Sequence, residues 1–182
     1  MRFFPLLVLL LLSGCIQEPS AATEDSHDHM SEPEMDPDHD MDSEPVFFPD
    51  FNVTSHNGTN FSLEMMSDGP WIAYFSAPWC AHCETTLDAY DQSFPVDRMI
   101  IFSREADVNY SNMSEWHADT EESLNRSMNR PFTLGSEIAS QMEIEGIPHV
   151  FLVAADGEVI AKRLGKNTDV QDNIDWWDNN TQ

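Results

Sequence analysis

The sequence predicts an α/β fold in which a central mixed β-sheet is flanked by helices and preceded by an N-terminal β-hairpin. A continuous apolar run at residues 71–75 is typical of a strand buried on both faces, and a second apolar run, which follows Arg98, predicts another short buried strand at residues 98–102. Apolar residues at helical spacing follow each run, which indicates that strands and helices alternate. Turn dipeptides at Asn57-Gly58 and Asp156-Gly157 predict a hairpin near each end of this pattern.

The first half of the domain has the order hairpin, strand, helix. Residues 51–56 and 59–63 flank Asn57-Gly58, a dipeptide that favours the positive φ angles of a tight turn. The strand at 71–75 leads into a helix that Pro95 ends. One face of this helix is marked by residues three and four apart: Cys80, Cys83, Leu87, Tyr90 and Phe94.

The second half continues with strand, helix, hairpin and helix. After the second buried strand, an amphipathic helix predicts a βαβ crossover; its buried face contains Met113, Trp116, Thr120 and Leu124. A short helix at 137–142 leads to a strand at 149–154, which pairs back with residues 158–161. A capping box formed by Thr168 and Gln171 is predicted to start the C-terminal helix.

The composition limits the partners of this protein. Its 182 residues include 33 acidic and 8 basic side chains, for a formal charge of −25. Affinity for nucleic acid comes mostly from Lys and Arg that neutralise phosphates, so we expect no nucleic-acid partner. Residues 46–182 hold 22 acidic and 7 basic side chains, and this predicted single domain therefore carries a net charge of −15.

Residues 1–14 have the features of a secretion signal. A basic start precedes the apolar run Leu6–Leu12, which is far shorter than the roughly 20 residues needed to span a bilayer. The run leads into Leu12-Ser13-Gly14-Cys15, which resembles the lipobox of prokaryotic lipoproteins. That resemblance implies cleavage before Cys15, lipidation of this residue and anchorage at the outer face of a membrane. The alternative is a plain signal peptide with a chance cysteine.

Residues 15–45 are predicted to form an acidic, disordered tether between the anchor and the domain at 46–182. Residues 16–45 hold 11 acidic side chains and no basic ones, which disfavours a packed core. Imidazole and thioether groups suit copper, and a flexible tract can wrap an ion. An acidic stalk with incidental histidines is the alternative. The candidate copper ligands are His27, His29, His39, Met30, Met35 and Met41.

Seven Asn-X-Ser/Thr sequons give a second indication of export. The chain has 11 asparagines, and chance pairing would give about two sequons. The excess favours a glycosylated surface, and a by-product of an Asn- and Ser-rich composition is the alternative. The sequons begin at Asn52, Asn57, Asn60, Asn109, Asn112, Asn125 and Asn179.

The tetrapeptide Cys80-Ala81-His82-Cys83 carries the predicted chemistry. A structural zinc site needs four ligands, and the domain has no second cysteine pair and no His-X-His cluster. An inert disulfide between residues three apart would restrain the unfolded chain little. A redox-active dithiol is therefore the preferred interpretation. The helix N-terminus and His82 both favour a thiolate, which makes Cys80 the nucleophile and Cys83 the resolving thiol.

Two motifs resemble those of the thioredoxin superfamily. The segment Phe75–Cys83, with Trp79 directly before the first cysteine, is similar to the active-site motif, and Glu145–Pro148 is similar to the second hallmark. The resemblance implies a thioredoxin-like fold and a cis peptide bond before Pro148. It also implies that extended substrate chains bind along Trp79, Ile147 and Pro148.

The similarity covers residues 46 to about 166 and is greatest to the TlpA-type, membrane-anchored thioredoxin-like proteins. It implies protein disulfides or dithiols as substrates, a membrane thiol-disulfide electron donor, and no cofactor. Two positions depart from cytosolic thioredoxins: Tyr74 replaces a buried Asp that moves protons, and His82 matches the position used by protein disulfide isomerases. Because His82 stabilises the thiolate of the reduced form, we expect a more oxidising couple than that of thioredoxin.

The sequence thus predicts a lipid-anchored thiol-disulfide oxidoreductase at the extracytoplasmic face of the cell membrane. Whether it reduces, oxidises or isomerises disulfides stays open. The alternative is a copper-binding or copper-delivery protein that uses the tether and the cysteine pair. His149 is a further candidate ligand in that alternative, although a histidine on a surface strand is the simpler interpretation.

Overall fold

The computed structural model describes residues 44–182 and contains, in that range, seven β-strands and four α-helices. None of these helices is long and apolar enough to cross a membrane. In chain order the elements are β1 (Asn52–Thr54), β2 (Asn60–Ser62), β3 (Trp71–Ser76), α1 (Ala81–Ser93), β4 (Met99–Ser103), α2 (Tyr110–Leu124), β5 (Phe132–Leu134), α3 (Ser136–Gln141), β6 (His149–Val153), β7 (Val159–Leu164) and α4 (Val170–Thr181).

Five strands form one mixed sheet in the order β5-β4-β3-β6-β7. Strand β4 runs parallel to both β3 and β5, whereas β6 is antiparallel to β3 and β7. Strands β1 and β2 form a separate antiparallel hairpin. The parallel pair β3 and β4 is connected through α1. The predicted crossover, mixed sheet and N-terminal hairpin are therefore confirmed.

The central strand β3 is buried on both faces, as its continuous apolar run predicts. On one face, Trp71 and Phe75 pack with Phe48 in an aromatic cluster that also contacts the hairpin and α3. On the other face, Tyr74 packs against Tyr90 of α1 in a second cluster that includes residues of α2 and α4. Each fully buried side chain of this kind contributes about 1.5–3 kcal/mol. The two clusters fix the position of β3 and of the chain that follows it.

A buried arginine closes the C-terminal end of α1, which ends before Pro95 as predicted. Arg130 is 1% exposed. Its guanidinium donates to the carboxylate of Asp91 and to the carbonyls of Asp91, Phe94 and Pro95. The last carbonyls of a helix have no donor within the helix, and Pro95 has no N–H to offer. Four of the five N–H groups of the buried guanidinium are therefore hydrogen-bonded at the point where the helix needs donors.

The hairpin loop differs from the tight two-residue turn that Asn57-Gly58 predicts. Only Gly58 has a positive φ, of 87°. The side-chain oxygen of Asn57 accepts hydrogen bonds from the N–H of Thr59 and the hydroxyl of Ser55, at 3.0 and 2.8 Å. Because this side chain closes the loop, residues 55–59 turn the chain and Asn57 needs no positive φ.

Strand β5 is not among the predicted strands. It has three residues, too few to show an alternating pattern in the sequence. It forms because β4 offers a parallel edge and because Ser55, after the hairpin strand β1, forms an antiparallel bridge with Thr133. Its existence depends on partners that are distant in the sequence.

The helix α4 begins one residue later than the predicted capping box implies. The side chain of Asp169, not that of Thr168, accepts hydrogen bonds from the N–H groups of Gln171 and Asp172. A carboxylate is a stronger acceptor than a hydroxyl, and its negative charge is favourable at a helix N-terminus. The predicted capping box of Thr168 and Gln171 is therefore wrong.

The first described residues lie along the edge strand β7. The N–H of Val159 donates to the carbonyl of Val46 at 2.8 Å. Further along this edge, Lys162 lies within β7 and Lys166 follows it, and both are exposed. Among the described residues, Val46 and Phe47 thus pair with the beginning of β7.

Two stacked histidines join the hairpin to α2. The rings of His56 and His117 are 3.8 Å apart and 11° from parallel. The N–H of Phe132 donates to Nδ1 of His56 at 3.3 Å, and Nε2 of His117 lies 2.8 Å from the carbonyl of Met128. Burial and the neighbouring His117 lower the pKa of His56 to about 4, against a smaller opposite effect of Glu121. His56 is therefore neutral in this joint at neutral pH.

The stability of the domain should depend on pH because His56, stacked on His117, titrates at different pH values in the folded and unfolded states. Unfolded His56 titrates near pH 6.5 and folded His56 near 4, so the unfolded state binds more protons between these values. We expect the free energy of unfolding to fall as the pH is lowered from 6.5 to 4, as urea titrations will measure. His56→Asn keeps a hydrogen-bond acceptor for the N–H of Phe132 but removes the titrating ring, so it should reduce the loss of unfolding free energy at low pH. His82→Gln replaces an exposed histidine and should leave that loss unchanged. Equal pH dependence in His56→Asn and wild type would contradict the assignment.

Candidate redox site

The cysteine motif lies where β3 ends and α1 begins. Cys80 is the N-terminal capping residue of α1, Cys83 lies in its first turn, and the two form a disulfide. The N–H of Cys83 points to the carbonyl of Cys80 at 2.9 Å. Cys80 is 4% exposed and Cys83 is 1% exposed. Free amides and the dipole at a helix N-terminus stabilise a thiolate at Cys80 when the disulfide is reduced.

The two sequence motifs meet at this disulfide. Nε2 of His82 lies 3.5 Å from Sγ of Cys80 and 3.3 Å from the carbonyl oxygen of Ile147. The peptide bond between Ile147 and Pro148 is cis, as the resemblance implies. The structure thus brings His82, both cysteines and the Ile147-Pro148 pair together, although 65 residues separate His82 from Ile147.

The sheet carries Pro148 to this position. Strand β6 begins at His149, opposite Phe75 of β3, so Pro148 lies beside the end of β3 from which the cysteine motif continues. The N–H of Gly165, directly after β7, donates to the carbonyl of Pro148 at 2.8 Å. Trp79, also predicted to bind substrate, precedes Cys80 and is 65% exposed. An exposed indole beside the disulfide offers apolar surface to a docking chain.

Tyr74 of the central strand β3 is hydrogen-bonded to the first turn of α1. Its hydroxyl donates to the carbonyl of Cys83 at 2.8 Å. Burial, with a smaller contribution from Tyr90, raises the pKa of Tyr74 well above its ordinary value of 10.0. The side chain is therefore a neutral hydrogen-bond donor at physiological pH.

Glu84 is a residue at the site that the sequence analysis does not single out. Glu84 and Cys80 both line a cleft of about 190 Å³ between α1 and α2. The Oε1 atom of Glu84 is buried and, within residues 44–182, has no hydrogen-bond partner. A carboxylate directly after the second cysteine is the signal in the sequence that marks this position.

His149 does not lie on a surface strand, and that interpretation is wrong. Strand β6 is an inner strand between β3 and β7, and His149 is half-buried with its ring stacked on Phe151 at 4.5 Å. Burial and, to a lesser extent, Lys162 lower the pKa of His149. Neither ring nitrogen has a hydrogen-bond partner among the described residues. His149 is therefore a neutral packing residue beside the site.

Metal binding at the site is limited by the cysteine chemistry. In the described part of the chain, the one group of potential metal ligands is formed by Cys80, His82 and Cys83, whose ligand atoms lie within 4.8 Å of one another. Cysteine binds metal as a thiolate, so these sulfur atoms could bind a metal only after reduction of the disulfide, and the group would still lack a fourth ligand for a structural zinc site. The predicted lipidation site Cys15 and the candidate copper ligands of the tether lie outside the described residues.

The sequence matches no protein-family model and no curated protein. Solved structures are nevertheless similar to it. A thioredoxin-family thiol:disulfide interchange protein from Chlorobium tepidum aligns with a TM-score of 0.57 and 18% identity, over 74% of this chain and 97% of the other. The thioredoxin domain of a thiol-disulfide oxidoreductase from Bacteroides vulgatus aligns with a TM-score of 0.52 and 20% identity, over 72% and 95%.

A third similar structure is an exposed lipoprotein thioredoxin from Streptococcus pneumoniae, with a TM-score of 0.52 and 16% identity, over 70% of this chain and 99% of the other. At these identities the likeness shows the fold. The described region therefore has the thioredoxin fold that the sequence motifs imply. Its disulfide occupies the start of the first long helix, after the central strand.

Tyr74→Phe tests the purely structural role of this hydroxyl. We expect the free energy of unfolding to fall by about 1 kcal/mol, the net worth of one hydrogen bond. The pH dependence of Cys80 alkylation by iodoacetamide in the reduced protein should stay unchanged, because Tyr74 does not titrate in the range measured. Tyr110→Phe, which removes an exposed hydroxyl bonded to His56, is the matched control. A displaced alkylation profile in Tyr74→Phe would show that this residue takes part in proton transfer.

Proposed function

We propose that this protein is an extracytoplasmic thiol-disulfide oxidoreductase that acts through Cys80 and Cys83. The observation that carries the proposal is their disulfide at the start of α1, with His82 in contact both with Cys80 and with the carbonyl of Ile147, which precedes cis Pro148. The names of the similar structures, which include thiol:disulfide interchange protein and thiol-disulfide oxidoreductase, support the same chemistry.

In the reducing direction, the Cys80 thiolate attacks one sulfur of a protein disulfide. The substrate S–S bond breaks, an intermolecular S–S bond forms, and the second substrate sulfur leaves as a thiolate. Deprotonated Cys83 then attacks Sγ of Cys80, which restores the Cys80–Cys83 disulfide and releases the first substrate sulfur. Two electrons pass from the enzyme dithiol to the substrate, and the two protons of the dithiol are balanced by those that the substrate thiolates take up. The reverse steps oxidise a substrate dithiol.

Neighbouring residues have two roles in this scheme. The imidazole of His82, whose Nε2 lies 3.5 Å from Sγ of Cys80, stabilises the attacking and leaving thiolate. Trp79, Ile147 and Pro148 bind the extended substrate chain next to the reacting sulfur.

The mixed disulfide provides the direct test. Cys83→Ser keeps the nucleophile and removes the resolving thiol, so we expect it to accumulate a covalent adduct with a disulfide-containing protein. Non-reducing electrophoresis and mass spectrometry will identify the adduct, and dithiothreitol should release it. Cys80→Ser is the matched control and should trap no substrate through Cys83. Absence of any adduct of Cys83→Ser would argue against the proposed activity.

His82→Pro tests the electrostatic role of the imidazole. Loss of the positive charge should raise the pKa of the Cys80 thiol and shift the couple to more reducing potentials by several tens of millivolts, since about 30 mV corresponds to 1.4 kcal/mol. Equilibration with glutathione buffers, followed by Trp79 fluorescence, measures the potential. His56→Asn is the control. The His56 ring accepts a hydrogen bond from the N–H of Phe132 and does not contact the sulfur, so this variant should leave the potential unchanged. A His82→Pro potential equal to that of wild type would remove the argument for an oxidising or isomerising role.

We further propose that residues 1–14 are a signal peptide, that lipidated Cys15 anchors the chain and that residues 15–45 tether the domain at 46–182. The lipobox-like sequence supports this arrangement, as does the name of the exposed lipoprotein from Streptococcus pneumoniae. All seven sequons lie in the described part of the chain, and six of their asparagines are exposed. Their exposure supports a glycosylated, extracytoplasmic surface, and a membrane thiol-disulfide protein is the proposed electron donor.

Cys15→Ser tests the anchor. The variant should be uncleaved or freely soluble, because the lipid on this sulfur supplies the membrane affinity of the processed protein. Membrane sedimentation and the mass of the N-terminal peptide measure both properties, and Cys83→Ser serves as a control that retains the anchor. A processed Cys15→Ser protein that sediments with membranes as wild type does would contradict lipidation at Cys15.

A further inference from the structure

The segment Glu145–Ile147, which precedes cis Pro148, lacks backbone–backbone hydrogen bonds in the described region. Within the described residues, its three backbone units make no hydrogen bond to another backbone group. On either side the chain is fixed: the N–H of Ile144 donates to the carbonyl of Ala139 at 2.9 Å, and the carbonyl of Pro148 accepts from Gly165 at 2.8 Å. The segment that presents Pro148 therefore spans two fixed points without backbone support.

Ile147 packs against the aromatic core cluster, and two side chains from other parts of the fold make polar contacts with the backbone of this segment. Nη1 of Arg104 donates to the carbonyl of Glu145 at 2.8 Å, and Nε2 of His82 lies 3.3 Å from the carbonyl of Ile147. The His82 contact competes with the contact of the same nitrogen to Cys80. Of the two polar contacts, that of Arg104 is therefore the one that does not compete with the sulfur.

Arg104 is itself fixed to the strand that carries the redox motif. It follows directly after β4, and its backbone N–H donates to the carbonyl of Ser76, the last residue of β3, at 3.0 Å. Its side chain thus connects the end of β3 with the segment before Pro148, which is 41 residues away from it along the chain.

The environment of Arg104 makes this contact specific. Glu143 and Glu145 line the same cavity as Arg104, yet the guanidinium forms no ion pair with any carboxylate in the described part of the chain. It donates instead to a main-chain carbonyl, and a charged donor makes a stronger bond than a neutral one. The contact therefore determines a backbone position, which a surface ion pair between flexible side chains would not do.

We propose that Arg104 is a positioning residue, which holds Glu145–Ile147 in place so that the Ile147-Pro148 pair is preformed for an extended protein chain. The inference rests on the proposed function for its consequence in catalysis. A protein disulfide must dock along this segment, whereas a small disulfide needs only the Cys80 sulfur. Arg104 therefore affects binding of protein substrates and not the chemistry of the cysteines.

The test compares Arg104→Met with Arg104→Lys in the purified full-length protein. With insulin as the protein disulfide, Arg104→Met should raise KM about fivefold to tenfold at nearly unchanged kcat, as expected for loss of one charge-assisted hydrogen bond. The rate with the small disulfide 5,5′-dithiobis(2-nitrobenzoate) and the potential of the cysteine pair should not change. Arg104→Lys, which retains a charged donor, should restore part of the KM. Arg98→Met, at an arginine whose partner Asp97 is exposed, should behave as wild type.

Hydrogen–deuterium exchange gives a readout that does not depend on activity. The amides of Gly146 and Ile147 should exchange faster in Arg104→Met than in wild type, with partial recovery in Arg104→Lys. Unchanged exchange at these amides would overturn the proposal, and so would equal losses with insulin and with the small disulfide. If wild type exchanges neither disulfide, the proposed function fails, and the exchange experiment still decides the positioning role of Arg104.

Discussion

Burial of β3 on both faces and pairing along both of its edges hold the redox site in place. The strand lies between β4 and β6 and between two hydrophobic clusters, so its C-terminal end at Ser76 is fixed. Cys80 follows four residues later, and Leu87 and Tyr90 pack α1 onto the same strand. Parallel pairing with β4 and antiparallel pairing with β6 bring two further chain segments to this end of the sheet. Hydrophobic packing, rather than the cysteine motif, thus determines where the sulfur atoms lie.

The features that could be predicted from the sequence are those with a local physical cause. The apolar run of β3, the periodic face of α1 and the two motifs that meet at the disulfide each carry their own signal. The features that could not be predicted depend on distant partners: β5 requires the edge of β4, and Arg104 acquires its role only because Glu145 lies beside it. The surface-strand interpretation of His149 is wrong because the sequence shows one neighbour of this strand, at residues 158–161, and does not show that β3 pairs along its other edge.

Most arginines of this acidic domain bind carboxylates or carbonyls and so link its secondary-structure elements. Arg130 closes α1, Arg126 binds two carboxylates of the same helix, and Arg163 joins β7 to α4 through Asp172. The contacts of Arg130 and Arg126 are partly or fully buried, whereas Asp172 and most of the surplus carboxylates are exposed. Salt therefore screens repulsion between the exposed carboxylates more than it weakens the arginine contacts. For this reason, the domain can have a strongly negative surface and still retain its arginine–carboxylate contacts in salt.

The edge of β7 has a consequence for self-association. The N-terminal segment covers only the beginning of this strand, which leaves backbone donors and acceptors further along it without a neighbouring strand in the described region. Lys162 and Lys166 are the only lysines in the whole sequence, and both lie at this edge. Charged side chains on an edge strand oppose the pairing of one sheet with another, which is a route to aggregation. For the same reason, reagents that couple to side-chain amines would label this protein at a single edge of its sheet.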